Sequence, residues 1–118
     1  MKFYEYNVRE IFCSEGILTS EGELALSPSE VFDAAKRINS SVVLKSQILT
    51  GGRGKAGGIR FADSPEEAKK VSSELFSKKI KGYPINKILV ATKEDIKKEY
   101  YLGITINFQK RKTSMIFS

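Results

Sequence analysis

The stretch from Val42 to Gly58, VVLKSQILTGGRGKAGG, limits the possible folds of this chain more than any other segment. An apolar run ends at Lys45, and the glycines that follow are interleaved with Arg53 and Lys55. Glycine adopts positive φ and lets the backbone approach a ligand closely, and successive free N–H groups in such a loop bind anions. Arginine and lysine donors suit phosphate oxygens. The stretch predicts a strand followed by a mobile loop that closes over a polyphosphate.

This loop matches neither of the common phosphate-binding motifs. G-x-x-x-x-G-K-[ST] is absent because Ala56 follows Lys55, and G-x-G-x-x-G with a helix behind it is absent too. The next residues, Ile59–Ala62, predict a strand, so no helix N-terminus follows the loop to receive a phosphate. From the pattern alone, a glycine-rich hairpin turn with solvated charges is an equal alternative.

Three segments together resemble a known family. They are KFYEYNVREIF followed by Gly16, LKSQILTGGRGKAGG, and NKILVATKEDIKKEYYLG. In the same order and at similar spacing, they are similar to the β subunit of succinyl-CoA synthetase and, more broadly, to ATP-grasp acyl-CoA synthetases that form ADP or GDP. The resemblance implies an α+β fold, the N-terminal nucleotide-binding lobe of an ATP-grasp domain. We expect a mainly antiparallel sheet with helices packed on one side, residues 1–118 being one partial domain.

The resemblance also implies which residues bind the nucleotide. Lys45 matches the family lysine that reaches the phosphates, and Glu99 matches a glutamate near the ribose, where a carboxylate can accept both hydroxyls. Glu94 falls at another family contact. The full set carried over from the family is Lys45, Gly52, Arg53, Gly54, Glu94 and Glu99. Each has an ordinary alternative: Lys45 as a solvated side chain at a strand end, and Glu99 as the partner of Lys97 or Lys98.

Two positions depart from the family pattern. A glutamate is expected directly after the apolar run of the linker strand, and this chain has Ala91 there. The connection Ile17–Glu23 lacks the family's prolines and places Ser20 near a position associated with base selection. The choice between ATP and GTP therefore stays open.

The implied reaction is reversible: ATP, succinate and CoA give ADP, phosphate and succinyl-CoA. In the family it proceeds through an acyl phosphate and a phosphohistidine supplied by the α subunit, in a cytoplasmic heteromer of the tricarboxylic acid cycle. Magnesium, CoA and the dicarboxylic acid are expected to bind mainly outside these residues. We therefore expect no catalytic residue and no metal ligand here, and no activity from the 118 residues alone. Malate- and citrate-CoA ligases share the lobe and remain alternatives.

The composition excludes several classes of site. The chain has no histidine and one cysteine, Cys13, so it cannot contain a Ser-His-Asp triad, an imidazole base or a structural zinc site. No apolar run approaches the ~20 residues of a membrane span.

The net charge of +6 suits a polyanion. Because the lysines are spread over the chain, we interpret them as solvated faces rather than a nucleic-acid site.

Two non-enzymatic alternatives remain beside the ligase. The first is a free-standing basic module that binds RNA or another polyanion through the glycine loop. The second is a degenerate lobe retained for subunit interaction, which Ala91 favours.

The hydrophobic pattern predicts the element order. Tyr4–Glu15 should form a helix, with Tyr4, Val8, Ile11 and Phe12 on one face. Ser27 and Ser64, each followed by proline, should cap two further helices. Their inward residues are expected to be Val31, Ala34, Ala35 and Ile38 in the first and Ala68, Val71 and Leu75 in the second.

The remaining pattern predicts strands and connections. Ile59–Ala62 should pair antiparallel with the Val42 strand, and Lys78–Asn86 should be a solvated loop. Alternation from Glu99 to Phe108 predicts a long half-buried strand, with Thr113–Phe117 returning as its hairpin partner. An apolar edge strand makes a poor terminus, so we expect the parent protein to be longer.

Overall fold

The computed structural model describes all 118 residues as three helices and eight strands. The helices are α1 (Glu5–Ser14), α2 (Pro28–Ile38) and α3 (Pro65–Phe76). The strands are β1 (Gly22–Ala25), β2 (Val42–Ser46), β3 (Ile59–Ala62), β4 (Lys79–Ile80), β5 (Tyr83–Pro84), β6 (Ile88–Thr92), β7 (Leu102–Asn107) and β8 (Lys112–Phe117). None of the helices is long and apolar enough to cross a bilayer.

A four-stranded antiparallel sheet in the order β1-β6-β2-β3 forms the centre of the fold. The predicted antiparallel pairing of β2 with β3 is confirmed, with Val42 opposite Ala62 and Lys45 opposite Ile59. The strand β6, which lies later in the chain, inserts between β1 and β2. This insertion brings β6, the linker strand, directly beside β2, and Lys45 on β2 lies opposite Leu89 on β6.

The helices α2 and α3 cover one face of this sheet. The hydroxyl oxygens of Ser27 and Ser64 accept hydrogen bonds from the N–H groups of Glu30 and Glu67, and a proline follows each cap. Both predicted caps are therefore confirmed. The predicted inward residues are all buried, and they pack with Val42, Leu44, Ile88 and Val90 of the sheet. The core lies between this face and the two helices.

The first helix differs from the prediction. The helix itself forms at Glu5–Ser14, but none of its residues is buried. Ile11 and Phe12 remain 47% and 42% exposed, so the apolar face predicted from the spacing does not enter the core. The helix lies over the sheet face that α2 and α3 leave open, because Val8 and Phe12 line a cleft with Leu89 and Ala91.

The segment Lys78–Asn86 is not the solvated loop that its basic, turn-rich sequence predicts. It forms the β4–β5 hairpin, which turns at Lys81 and Gly82, both with positive φ. The turn directs Ile80 and Ile85 into the core, where they are 3% and 1% exposed. Two isolated apolar residues carried too weak a periodicity to show this burial.

The β7–β8 hairpin forms as predicted, but its strand is not half-buried. The two strands pair only with each other and form a ribbon separate from the central sheet. The apolar positions Leu102, Ile104 and Ile106 are 62–68% exposed. Alternation identified the apolar face of the ribbon, but no other part of this chain packs against it.

Truncation of the core should be costly. Leu75 on α3 is fully buried, so Leu75→Ala should lower the free energy of unfolding by about 2–5 kcal/mol. Leu18→Ala is the matched control, because Leu18 is 99% exposed and should change stability by less than about 0.5 kcal/mol. Urea unfolding of the three proteins measures the difference. Equal losses in both variants would contradict the described core.

Candidate functional site: two cations and a glycine loop

Lys45 interrupts an apolar strand at a position that faces away from the core. Successive side chains on β2 alternate between faces, so Lys45 lies on the open face with Val43, between Leu89 on β6 and Ile59 on β3. Its side chain is only 29% exposed. Its ammonium Nζ donates a hydrogen bond to Oε1 of Glu5 at 2.9 Å. An amine held among apolar neighbours needs such an anionic partner.

Arg53 folds back from the loop toward the same carboxylate. Its Nη1 donates to the carbonyl oxygen of Ser46 at 3.1 Å, and its Nη2 donates to Oε2 of Glu5. The Arg53 side chain is 21% exposed. The two oxygens of Glu5 therefore bridge Lys45, on β2, and Arg53, in the glycine loop. We call Lys45 and Arg53 the cation pair.

The glycine loop is held in shape from within and from outside. The N–H groups of Ala56, Gly57 and Gly58 donate to the carbonyls of Gly52, Gly54 and Arg53 at 2.7–3.1 Å. From outside the loop, Nζ of Lys81 donates to the carbonyl of Gly51 at 2.7 Å. The backbone N–H groups of residues 51–55, by contrast, donate to no acceptor in the chain. A set of unpaired amides beside two cations is suited to binding an anion.

Two glycines are required by this geometry. Gly52 has φ of +76°, which disfavours any residue with a side chain. At Gly58, a Cβ would lie 2.5 Å from Cδ1 of buried Ile80 and 3.0 Å from the carbonyl of Arg53. The loop therefore closes tightly over the β4–β5 hairpin, and a side chain at Gly58 would displace Arg53.

The charges in this cluster support one another. Burial raises the pKa of the Glu5 carboxyl, but hydrogen bonds from Lys45 and Arg53, together with their positive charges, outweigh burial and hold that pKa below its ordinary value. Glu5 is therefore ionised at neutral pH. The cluster carries two positive charges and one negative charge, so one net positive charge remains available to a further anion.

Lys45 lies between two clefts on the open face. One, of about 180 Å³, separates α1 from β6 and contains Glu5, Arg9 and Phe12. The other, of about 380 Å³, extends over β2 and β3 toward Glu94 and Glu99. Ser20, Lys45 and Ala91 line both. The two clefts thus form one continuous surface that passes over Lys45.

The structure brings most of the predicted residues to this surface. Lys45, Glu94 and Glu99 line the larger cleft, and Arg53 reaches Lys45 through Glu5. Gly52 and Gly54 flank Arg53 in the loop but do not line either cleft. Glu99 forms no ion pair, so its alternative role as a partner of Lys97 or Lys98 is not observed.

The two positions that depart from the family pattern also lie here. Ala91 is 4% exposed and contributes its methyl group to both clefts. The carbonyl of Ser20 accepts two hydrogen bonds from Arg9, at 3.1 and 2.8 Å, which attach the connection before β1 to α1. The structure contains no group of three or more acidic, cysteine or histidine side chains that could hold a metal ion.

Glu5 is the residue that the sequence analysis missed. It contacts Lys45 and Arg53 across 40 and 48 residues of chain, and no local spacing reports such a contact. A glutamate in the first turn of a helix is also ordinary, because it interacts favourably with the helix dipole. The only available signal was an acidic residue near a helix start in a chain whose loop carries cations.

Comparison with known proteins places the chain in context. The family of ATP-grasp domains matches residues 2–118. The ADP-forming succinate–CoA ligase subunit beta of Ignicoccus hospitalis is 44% identical over all 118 residues, which span 31% of that protein. The protein of the same name from Methanothermobacter thermautotrophicus is 46% identical over 107 residues, 91% of this chain and 29% of that protein. The chain thus spans less than a third of the length of these relatives.

A solved structure shares the fold. A dinucleotide-forming acetyl-coenzyme A synthetase from Ca. Korarchaeum cryptofilum superposes with a TM-score of 0.75 at 23% identity. The match covers 98% of this chain and 51% of that one. The predicted α+β architecture is therefore confirmed.

The ionisation of Glu5 predicts a pH-dependent stability. The pKa of the Glu5 carboxyl is lower in the folded protein than its ordinary value of 4.5. The ionised carboxylate therefore stabilises the fold at pH values above 4.5, and this stabilisation is lost as the pH falls through the folded-state pKa. Glu5→Gln should lower the free energy of unfolding by about 1–2 kcal/mol at pH 7, a value between those typical of exposed and of buried ion pairs. Urea unfolding of both proteins at pH values from 7 to 3 measures this difference in the free energy of unfolding, which should shrink below pH 4.5. A gap that stays constant would contradict the ion pairs.

Proposed function

Because the chain belongs to the family of ATP-grasp domains, we propose that its cation pair and glycine loop hold the phosphates of ATP or GTP. The observation that carries this proposal is the convergence of Lys45 and Arg53 on one carboxylate, beside the unpaired amides of residues 51–55. An anion that replaces or joins the carboxylate would meet two cationic donors, one of them in the loop whose amides are unpaired. Such a site neutralises and orients a polyphosphate, the main protein contribution to phosphoryl transfer.

The nucleoside would occupy the larger cleft. Glu99 lies on its wall as an unpaired carboxylate, suited to accept the two ribose hydroxyls, and Glu94 lies beside it. Val43, Ile59 and Phe61 supply apolar surface for a base. Ala91, in place of a glutamate, leaves recognition of the base edge to backbone groups of the linker strand. This arrangement is compatible with either adenine or guanine.

We also propose the reaction of the whole protein. The relatives named as ADP-forming succinate–CoA ligase subunit beta support a role in forming succinyl-CoA from succinate, CoA and ATP. Their name as a subunit supports an α partner, which would supply the phosphohistidine. CoA, the acid and most Mg²⁺ ligands would lie outside these residues, in a cytoplasmic complex of the tricarboxylic acid cycle. An acid other than succinate, such as malate or citrate, would leave this lobe unchanged.

Removing the charge of Lys45 should impair phosphoryl transfer in the full-length protein. Lys45→Met keeps the length of the side chain but removes one cation from the transferring phosphate, so kcat should fall on the order of 10²-fold. Lys70→Met is the matched control, because Lys70 is exposed on α3 and forms no ion pair. Succinate-dependent ADP formation measures both variants. Equal rates in Lys45→Met and wild type would rule out the phosphate site.

The 118 residues alone should bind nucleotide weakly. The described residues supply one wall of the site, and the open clefts on this face leave a nucleotide exposed to solvent. We expect calorimetry with Mg-ATP to show a Kd above about 1 mM, near the limit of what a few polar contacts provide. Micromolar binding would mean that this lobe holds the nucleotide without any other part of the protein. Binding that weakens strongly with salt and is equal for RNA would support the basic-module alternative.

A further inference from the structure

The Glu5 carboxylate makes the contacts that a phosphate would make. Its Oε1 accepts from Lys45 at 2.9 Å and its Oε2 accepts from Arg53, so each oxygen takes one cation. Carboxylate and phosphate are both anionic acceptors with oxygens that suit the same charged donors. A nucleotide phosphate at the cation pair would therefore compete with Glu5 for the same N–H groups.

Glu5 belongs to a helix whose start can shift without disrupting the core. It is the first residue of α1, whose residues are all at least partly exposed. Polar contacts attach the helix: the N–H of Tyr6 donates to Gln47 at 3.0 Å, and Arg9 donates to the carbonyl of Ser20. No buried side chain has to leave the core if the start of the helix shifts. Displacement of the carboxylate is thus a small local change.

We propose that Glu5 is an internal substitute for the nucleotide's phosphate. In the nucleotide-free protein its carboxylate holds Lys45 and Arg53 side by side against their mutual repulsion, and the arriving phosphate displaces it. The displaced carboxylate then loses both partners, so the start of α1 is released when the nucleotide binds. This inference rests on the proposed function, because it needs the cation pair to bind phosphate.

Two consequences follow from the exchange of anions. Glu5 lowers the affinity for phosphate, because its charge must be displaced before the cations are free. It also stabilises the nucleotide-free protein, because without it nothing offsets the mutual repulsion of two mostly buried cations. Removing the charge should therefore destabilise the protein and at the same time strengthen phosphate binding. A residue that only oriented Lys45 and Arg53 would weaken phosphate binding when changed.

The decisive experiment measures binding of inorganic triphosphate to the full-length protein by calorimetry. Triphosphate is the probe because it lacks a base that could contact α1. Glu5→Gln should bind triphosphate about tenfold more tightly than wild type. This factor matches the shift of about one pKa unit or more that a neighbouring charge produces. Glu10→Gln is the matched control: it lies on the same helix, removes the same charge, is exposed and forms no ion pair. Its affinity should match that of wild type.

Unchanged or weaker binding by folded Glu5→Gln would overturn the inference. If that variant does not fold, hydrogen exchange of the wild-type protein decides. Adding triphosphate should at least double the exchange rate of amides in residues 5–14 and slow that of residues 51–55. Unchanged or slower exchange in α1 would overturn the inference.

If the wild type binds neither triphosphate nor ATP, the proposed function itself fails. If it binds them and Glu5→Gln binds no more tightly, only the role of Glu5 fails.

Discussion

The contact of one carboxylate with two cations is the interaction on which the site depends. Lys45 and Arg53 carry like charges, and both are mostly withdrawn from water. Without Glu5 between them, repulsion and desolvation would drive the two side chains apart. The bridge also connects three elements that share no hydrophobic core: the start of α1, strand β2 and the glycine loop. Charge pairing, rather than packing, therefore holds the two cations together.

The two faces of the central sheet have different roles. One face is covered by α2 and α3 and holds nearly all the buried apolar residues, so it supplies the stability. The other carries Lys45 and the clefts under a lightly attached α1, so it is open to a ligand. Because side chains alternate on a strand, β2 contributes to both faces within five residues. A single strand thereby ties the position of the cation to the core.

The glycine loop owes its shape to both local and distant contacts. Positive φ at Gly52 and the hydrogen bonds within the loop are both local; the glycine pattern predicted the positive φ but not the hydrogen bonds. The hydrogen bond from Lys81 and the close approach of Gly58 to Ile80 come from a hairpin more than twenty residues away. The sequence marked that hairpin as a basic connection, so this support for the loop was not predictable.

The sequence by itself determined the elements whose signals are local: the two serine caps, the buried stripes of α2 and α3, the β2–β3 pairing and the turn chemistry of the glycine loop. The caps and stripes depend on neighbours a few residues apart, so periodicity and residue type report them. The β2–β3 pairing joins strands that are consecutive in the chain, so the order of the elements indicates it. Only the tertiary structure decided that β6 inserts beside β2, that Ile80 and Ile85 are buried, and that Glu5 joins Lys45 to Arg53. Those contacts join segments far apart in the chain, and their energy comes from burial and charge pairing that no local pattern records.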